Sequence, residues 1–137
     1  MKYKFLSHTA DVMFEAEGET LEEVFEACGR ATFDVMADVK TVESKVKFQV
    51  DLENKDSEKL LFEFLSEIIY LKDAEYSVFS DVSIYIEGKY KLKATLSGDK
   101  IKPKKQKLGN DVKAVTMHKF KLEKTKNGFK AVVILDI

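Results

Sequence analysis

The sequence predicts an α+β fold in which two helices pack on an antiparallel or mixed β-sheet, as a single two-layer domain over residues 1–137. Two observations lead to this prediction. Apolar residues recur at helical spacing in two segments, whereas most of the remaining chain alternates apolar and polar residues like half-exposed strands. The predicted order is two strands, a helix, a strand, a second helix and then a run of strands.

The first part of the chain is predicted to hold two strands and a helix. The strands cover residues 3–6 and 12–17, and the helix covers residues 20–37. Thr20 and Glu23 form a capping box, in which each side chain satisfies a free backbone N–H group at the helix start. Gly29 lies inside the helix, where it costs about 1 kcal/mol relative to alanine. A close contact between helix and sheet would explain it.

The rest of the chain is predicted to hold a second helix and several strands. The elements are a strand at 46–52, a helix at 57–72, strands at 77–87 and 90–96, a turn at 97–99, and strands at 112–123 and 129–135. Asn127-Gly128 is a strong signal for a hairpin between the last two strands. The second helix is the more apolar one, so we expect it to be the most buried element.

Composition argues against a dedicated nucleic-acid-binding protein. The 23 basic and 24 acidic residues nearly cancel, whereas such proteins carry a clear basic excess. We therefore expect no stable direct nucleic-acid binding. Cys28 is the only cysteine, which excludes an intrachain disulfide, and no apolar run approaches the roughly 20 residues that a membrane span needs. These features predict a cytoplasmic protein without a membrane segment.

The sequence lacks the motifs of common catalytic sites. It contains no glycine-rich phosphate loop, no paired cysteines of a metal site and no nucleophile elbow. The polar segment His8-Thr9-Ala10-Asp11 separates two apolar strands, a position where functional residues often lie. An ordinary turn, with Asp11 accepting backbone hydrogen bonds, explains the same residues.

Carboxylates also mark the other end of the chain. The apolar last strand runs into Asp136 and Ile137, whose terminal carboxylate adds a second negative charge. Neighbouring carboxylates repel each other unless a cation or basic group is near. If the last strand lies beside the first, Asp11 joins them, and three hard oxygen donors suit Ca²⁺ or Mg²⁺ better than Zn²⁺. A frayed, solvated terminus is the competing interpretation.

Two further polar features each have a functional and a structural interpretation. Lys113, Thr116 and His118 place polar side chains in an apolar stretch, which suits either a site or an edge strand protected by charge. The lysines of residues 102–107 could contact RNA phosphates, or they could form a solvated loop.

Several of these segments together resemble the archease family. The resemblance rests on His8-Thr9-Ala10-Asp11, Thr20-Leu21-Glu22-Glu23, the helical residues 59–71, Val112-Lys113-Ala114-Val115-Thr116-Met117-His118 and Val133-Ile134-Leu135-Asp136-Ile137. These segments span nearly the whole chain in order. Met117 departs from the family pattern, in which an aromatic residue, often tyrosine, is expected at this position.

The resemblance implies a non-catalytic protein cofactor that activates the RtcB-type tRNA-splicing RNA ligase by promoting its guanylylation and multiple turnover. It also implies a bound divalent cation, typically calcium, with Asp11, Asp136 and the terminal carboxylate of Ile137 as ligands. Lys113 matches a lysine that is important in the family. It joins His8 and His118 as a candidate for ligase activation.

Two alternative functions stay open. The resemblance also implies a chaperone-like module for an RNA-modifying enzyme such as a tRNA methyltransferase, for which exposed apolar surface is expected. A metal-dependent hydrolase would instead use Asp11, Asp136 and a bound water, with His8 or His118 as the base.

Overall fold

The computed structural model describes residues 1–6 and 11–137, which form eight strands, two α-helices and a 3₁₀ turn. In chain order these are β1 (Lys2–Leu6), β2 (Val12–Gly18), α1 (Leu21–Met36), the 3₁₀ turn (Val39–Thr41), β3 (Val46–Glu53), α2 (Ser57–Ala74), β4 (Ser77–Glu87), β5 (Lys91–Lys100), β6 (Ala114–Val115), β7 (Lys121–Thr125) and β8 (Gly128–Asp136). No helix in these two ranges is both long and apolar enough to cross a membrane.

The strands form two antiparallel sheets, which confirms the predicted α+β class with two helices. One sheet has the order β1-β2-β8-β6, with β7 also paired to β8, and the other has the order β3-β5-β4. Both helices contact strands of both sheets. The buried side chains of the helices and the two sheets therefore form a shared hydrophobic core.

Helix α1 begins and ends where the sequence predicts. The Thr20 hydroxyl accepts a hydrogen bond from the Glu23 N–H at 3.1 Å. The Glu23 carboxylate accepts the N–H of Glu19 at 3.2 Å, so the capping box closes one residue earlier than predicted. The expected contact between Gly29 and a sheet is wrong, because a Cβ at this position would meet Phe64 of α2 at 3.5 Å.

Helix α1 is the more buried helix, so the expectation for α2 was wrong. It buries 11 of its 16 residues, whereas α2 buries 7 of 18. The reason is that α1 packs on β2, β4, β8 and α2 at once. Phe25 stacks on Phe64 of α2 with ring centroids 6.0 Å apart, and Phe33 meets Phe79 of β4 at 5.4 Å.

The predicted turn at residues 97–99 is also wrong, because β5 continues through it to Lys100. Gly98 pairs with Val46 of β3 and lies beside an irregular step in β4 between Phe79 and Asp81. A Cβ at Gly98 would lie 2.0 Å from the carbonyl oxygen of Val78. Glycine is therefore required by the close approach of two strands and does not mark a turn.

The predicted strand over residues 112–123 is split into β6 and β7. A turn separates them, in which the N–H of Phe120 donates to the carbonyl of Met117 at 3.2 Å and Lys119 has a φ of 56°. This turn lets Phe120 reach Phe62 of α2, with ring centroids 5.3 Å apart. The hairpin predicted at Asn127-Gly128 is confirmed, since β7 pairs with β8 across it.

Candidate functional site

The start of β2 and the end of β8 bring Asp11 next to Asp136. The antiparallel pairing of these strands ends with Val12 opposite Leu135. One step further along this register, Asp11 lies beside Asp136, on strands about 4.8 Å apart. Both residues are partly exposed, as is Ile137 directly after them. The sheet therefore brings the two aspartates together, beside the last residue of the chain.

Both aspartates lie on the face of this sheet that points away from α1. Phe14 and Val133 pair across β2 and β8 and are fully buried in the core. Because successive strand residues point to opposite faces, the odd-numbered residues of β2 and the even-numbered residues of β8 share the other face. We call this the outer face, and it comprises Asp11, Met13, Glu15, Glu17, Lys130, Val132, Ile134 and Asp136.

Ion pairs neutralise the other acids of the outer face. These pairs are Lys2–Glu17 at 3.2 Å, Lys4–Glu15 at 3.7 Å and Lys130–Glu15 at 3.6 Å. Among the residues that the structure describes, none forms an ion pair with Asp11 or Asp136. Two neighbouring carboxylates without a counter-charge repel each other, and a cation between them would relieve this repulsion.

Strand β6 brings Lys113 to the same end of the sheet. Ala114 pairs with Asp136, and the N–H of Lys113 donates to the carbonyl of Asp136 at 2.8 Å. The side chain of Lys113 is exposed. Three of the predicted site residues, Asp11, Asp136 and Lys113, thus lie on the consecutive strands β2, β8 and β6 or directly before them.

Thr116 adds a polar group that sequence analysis did not assign to the carboxylates. Its N–H donates to the carbonyl of Ile134 at 3.0 Å, which places Thr116 on the outer face, one row from Asp136. Its hydroxyl oxygen is buried and has no hydrogen-bond partner among the described residues. Buried polar groups are almost always paired, so this oxygen is available to a ligand or a bound water.

A buried lysine fixes the segment that leads into β6. Lys72 of α2 is only 6% exposed, and its ammonium group donates to the carboxylate of Asp111, to Asp73 at 2.9 Å and to the carbonyl of Val112 at 2.8 Å. Sequence analysis missed this contact. The available signal was that Lys72 follows Ile68 by four residues and so lies on the apolar side of the helix.

The pKa values of this cluster follow from the same contacts. Burial alone lowers the pKa of Lys72, but the hydrogen bonds from Lys72 to Asp111 and Asp73 outweigh it, so the net pKa is raised. The hydrogen bond from Lys72 holds the pKa of Asp111 below its ordinary value. Both groups are therefore charged at neutral pH, and their attraction ties α2 to the residues just before Lys113.

The remaining predicted site residues are less closely connected. His118 lies exposed in the turn between β6 and β7, and His8 lies outside the described residues. Within residues 1–6 and 11–137, no group of three or more His, Cys, Asp or Glu side chains could hold a metal ion. A metal at this end of the sheet would thus need oxygen donors besides the two aspartates.

The sequence profile of the archease protein family matches residues 3–137, the same span in which the carboxylates, Lys113 and Thr116 meet. This chain belongs to the archease family. It is 41% identical to the archease of Pyrococcus furiosus over 130 residues, which cover 93% of this chain and 92% of that relative. The family assignment therefore extends over both sheets and both helices.

Two solved structures share the archease fold seen here. The solution structure of Methanobacterium thermoautotrophicum protein 1598 has a TM-score of 0.78 and 33% identity, and the match covers 98% of both chains. The crystal structure of an archease from Thermotoga maritima, described as a possible chaperone, has a TM-score of 0.67 and 22% identity, covering 98% of this chain and 96% of that one. The second likeness shows the fold alone.

Proposed function

We propose that this archease-family chain is a non-catalytic activator of the RtcB-type tRNA-splicing RNA ligase. In this proposal it promotes guanylylation and multiple turnover of the ligase in the cytoplasm. Membership of the archease family is the observation that carries the proposal. The gathering of Asp11, Asp136 and Lys113 at one end of a sheet supports it, because a partner could contact all three together.

The proposal includes a divalent cation, Ca²⁺ in the first instance, held by Asp11, Asp136 and the terminal carboxylate of Ile137. The donor set fits such an ion, since carboxylate oxygens are what Ca²⁺ prefers and the aspartates have no counter-charge among the described residues. The unpaired hydroxyl of Thr116 is a further oxygen on the same face. When bound, the ion would neutralise the carboxylates and fix the end of β8.

Lys113 has a separate role in this proposal. Its backbone is held by Asp136, and the segment before it is held by Lys72, so the exposed ammonium group projects from a fixed position. We assign this group to contact with the ligase, with His8 and His118 as further candidates. The contact surface would then include the carboxylate end of the sheet.

Multiple-turnover RNA ligation tests the activating role directly. The ligase is assayed alone and with substoichiometric amounts of this protein. We expect the wild-type protein to raise the number of turnovers, and Lys113→Ala to lose most of this effect. Lys124→Ala is the matched control, because Lys124 is an exposed lysine on β7 without an ion pair to a described residue. The proposal fails if wild-type protein gives no stimulation, and the role of Lys113 fails if both variants stimulate equally.

A chaperone-like module for an RNA-modifying enzyme, such as a tRNA methyltransferase, is the second candidate. Exposed large apolar side chains favour it, among them Phe5, Leu108 and Met117, which is 64% exposed. The description of the Thermotoga maritima protein as a possible chaperone points the same way. Light scattering of a heated tRNA methyltransferase checks this function. Aggregation that is unchanged by an equimolar amount of this protein rules it out.

A further inference from the structure

Positive charge is concentrated in one segment of the chain. Residues 100–119 contain seven lysines and one aspartate, a net charge of +6, although the whole chain has a net charge of −1. The remaining residues therefore carry a net charge of −7. The near balance of the whole sequence conceals this separation, which is the electrostatic signature of a surface for an anionic partner.

The lysine-rich loop at residues 102–107 has a fixed backbone. Gln106 is buried, and its side chain accepts the N–H of Lys102 at 2.8 Å and donates to the carbonyl of Lys100 at 2.9 Å. The N–H of Lys105 donates to the carbonyl of Lys102 at 2.9 Å. The loop thus presents the exposed side chains of Lys104 and Lys105 from an ordered turn.

The 3₁₀ turn places another lysine beside this loop. The N–H of Asp38 donates to the carbonyl of Lys107 at 2.8 Å, and the N–H of Lys107 donates to the Thr41 hydroxyl at 2.9 Å. Lys40, between Asp38 and Thr41, is exposed, and the Asp38 carboxylate accepts its N–H at 3.1 Å. We call the side chains of Lys40, Lys104, Lys105 and Lys107 the lysine surface.

The acids near the lysine surface are occupied by other partners. Asp99 is buried and pairs with Lys102 at 3.0 Å, which lowers the pKa of Asp99. Asp111 is held by Lys72. None of the four lysines of the surface forms an ion pair with a residue in the described ranges. Their charges are therefore available to a partner.

We propose that the lysine surface binds the phosphate backbone of a nucleic acid. Lysine is depleted in protein–protein interfaces but is a common phosphate contact, so nucleic acid fits better than an acidic protein. Residues 100–119 contain no Phe, Tyr or Trp, so base stacking does not contribute and binding is independent of sequence. The proposal stands apart from ligase activation, because it concerns this protein alone.

Such binding is weak and salt-dependent, in keeping with the expectation of no stable nucleic-acid complex. Each lysine that neutralises a phosphate of a single strand contributes about −0.7 to the slope of log K against log salt concentration. The four lysines therefore predict a slope of about −3. Dissociation constants in the range of about 10⁻⁴ to 10⁻⁶ M are typical of such non-specific contacts.

Fluorescence anisotropy across a salt series tests the proposal, with a short labelled single-stranded RNA and a DNA of the same sequence. The test variant is Lys104→Gln/Lys105→Gln/Lys107→Gln. The matched control is Lys47→Gln/Lys55→Gln/Lys93→Gln, which removes three exposed lysines that have no ion pair to a described residue. We expect the slope to become shallower by about 2 in the test variant and to stay unchanged in the control.

Further arms make every result decisive. A triple arginine variant at the same three positions should keep the wild-type slope. Equal loss in the test and control variants, or no salt-dependent binding by wild type, would overturn the proposal. A tenfold preference for RNA over DNA would overturn recognition of the phosphates alone, and displacement by polyglutamate at equal charge would assign the surface to acidic proteins. If the triple variant does not fold, Lys105→Gln replaces it, with an expected slope change of about 0.7.

Discussion

Removing the carboxylate of Asp111 should loosen the segment that carries Lys113. The buried Lys72 ammonium donates hydrogen bonds to Asp111, Asp73 and the carbonyl of Val112. A hydrogen bond to a charged group contributes about 1.5–3 kcal/mol. The side chain of Asp111 is 75% exposed, and Asp73 remains as a counter-charge. We therefore expect Asp111→Asn to lower the free energy of unfolding by only about 1–1.5 kcal/mol.

Urea unfolding at neutral pH measures this loss. With a denaturant slope of about 1–3 kcal/mol per molar, the midpoint should fall by about 0.5–1 M. The effect depends on pH, because Lys72 lowers the pKa of Asp111 in the folded state. This stabilisation is complete above the unfolded-state pKa, near about 3.9, and is lost as the pH falls through the lower folded-state pKa. Wild type and variant should therefore converge in strong acid.

Hydrogen exchange locates the same effect. The N–H of Lys113, which donates to Asp136, should exchange faster in Asp111→Asn than in wild type. Asp51→Asn is the control, because Asp51 is an exposed acid on β3 and its loss should change stability by less than about 0.5 kcal/mol. An unchanged midpoint for Asp111→Asn, or a difference from wild type that persists in strong acid, would refute the reasoning.

Three further predictions concern single side chains. Gly29→Ala should raise the free energy of unfolding by up to about 1 kcal/mol in thermal or urea unfolding, because the new Cβ makes an ordinary 3.5 Å contact with Phe64; a destabilised variant would contradict this. Thr116→Val should stabilise the cation-free protein by about 1 kcal/mol by removing an unpaired buried hydroxyl, yet weaken Ca²⁺ binding in calorimetry, whereas Thr116→Ser should bind as wild type. Burial, followed by the hydrogen bond to the Asp34 carboxylate, raises the pKa of Tyr3 to about 12, so alkaline ultraviolet titration should show one late tyrosine that Tyr3→Phe removes.

The helices could be predicted from the sequence because their signals are local. Thr20 caps α1 through a residue three positions away, and Asp56 caps α2 in the same way by accepting the N–H of Glu58 and Lys59. Apolar spacing within each helix then fixes the side that faces the core. Both helices begin at the predicted residue or within one residue of it.

Strand boundaries were less predictable because they depend on distant parts of the chain. Gly98 continues β5 only because Val78 approaches its backbone closely, and nothing near Gly98 in sequence signals that approach. The break after β6 likewise follows from the contact of Phe120 with Phe62 of α2. Alternating residues therefore indicated a strand but did not locate its ends.

The candidate site divides in the same way. Asp11 and Asp136 were recognisable as carboxylates near the two ends of the chain, but their adjacency depended on whether the last strand paired near the first. The sequence could not predict the unpaired Thr116 hydroxyl, since it depends on every neighbouring atom. Nor could it predict that Lys72 would reach Asp111, which lies 39 residues further along.

Calcium titration by calorimetry tests the proposed carboxylate site most directly. We predict that the wild-type protein binds one Ca²⁺ and that Asp11→Asn, Asp136→Asn and a short extension beyond Ile137 each weaken binding at least about tenfold. Glu123→Gln, which removes an exposed acid on β7, should bind as wild type. Binding that is absent from the wild type, or equally strong in Asp136→Asn, would contradict the account.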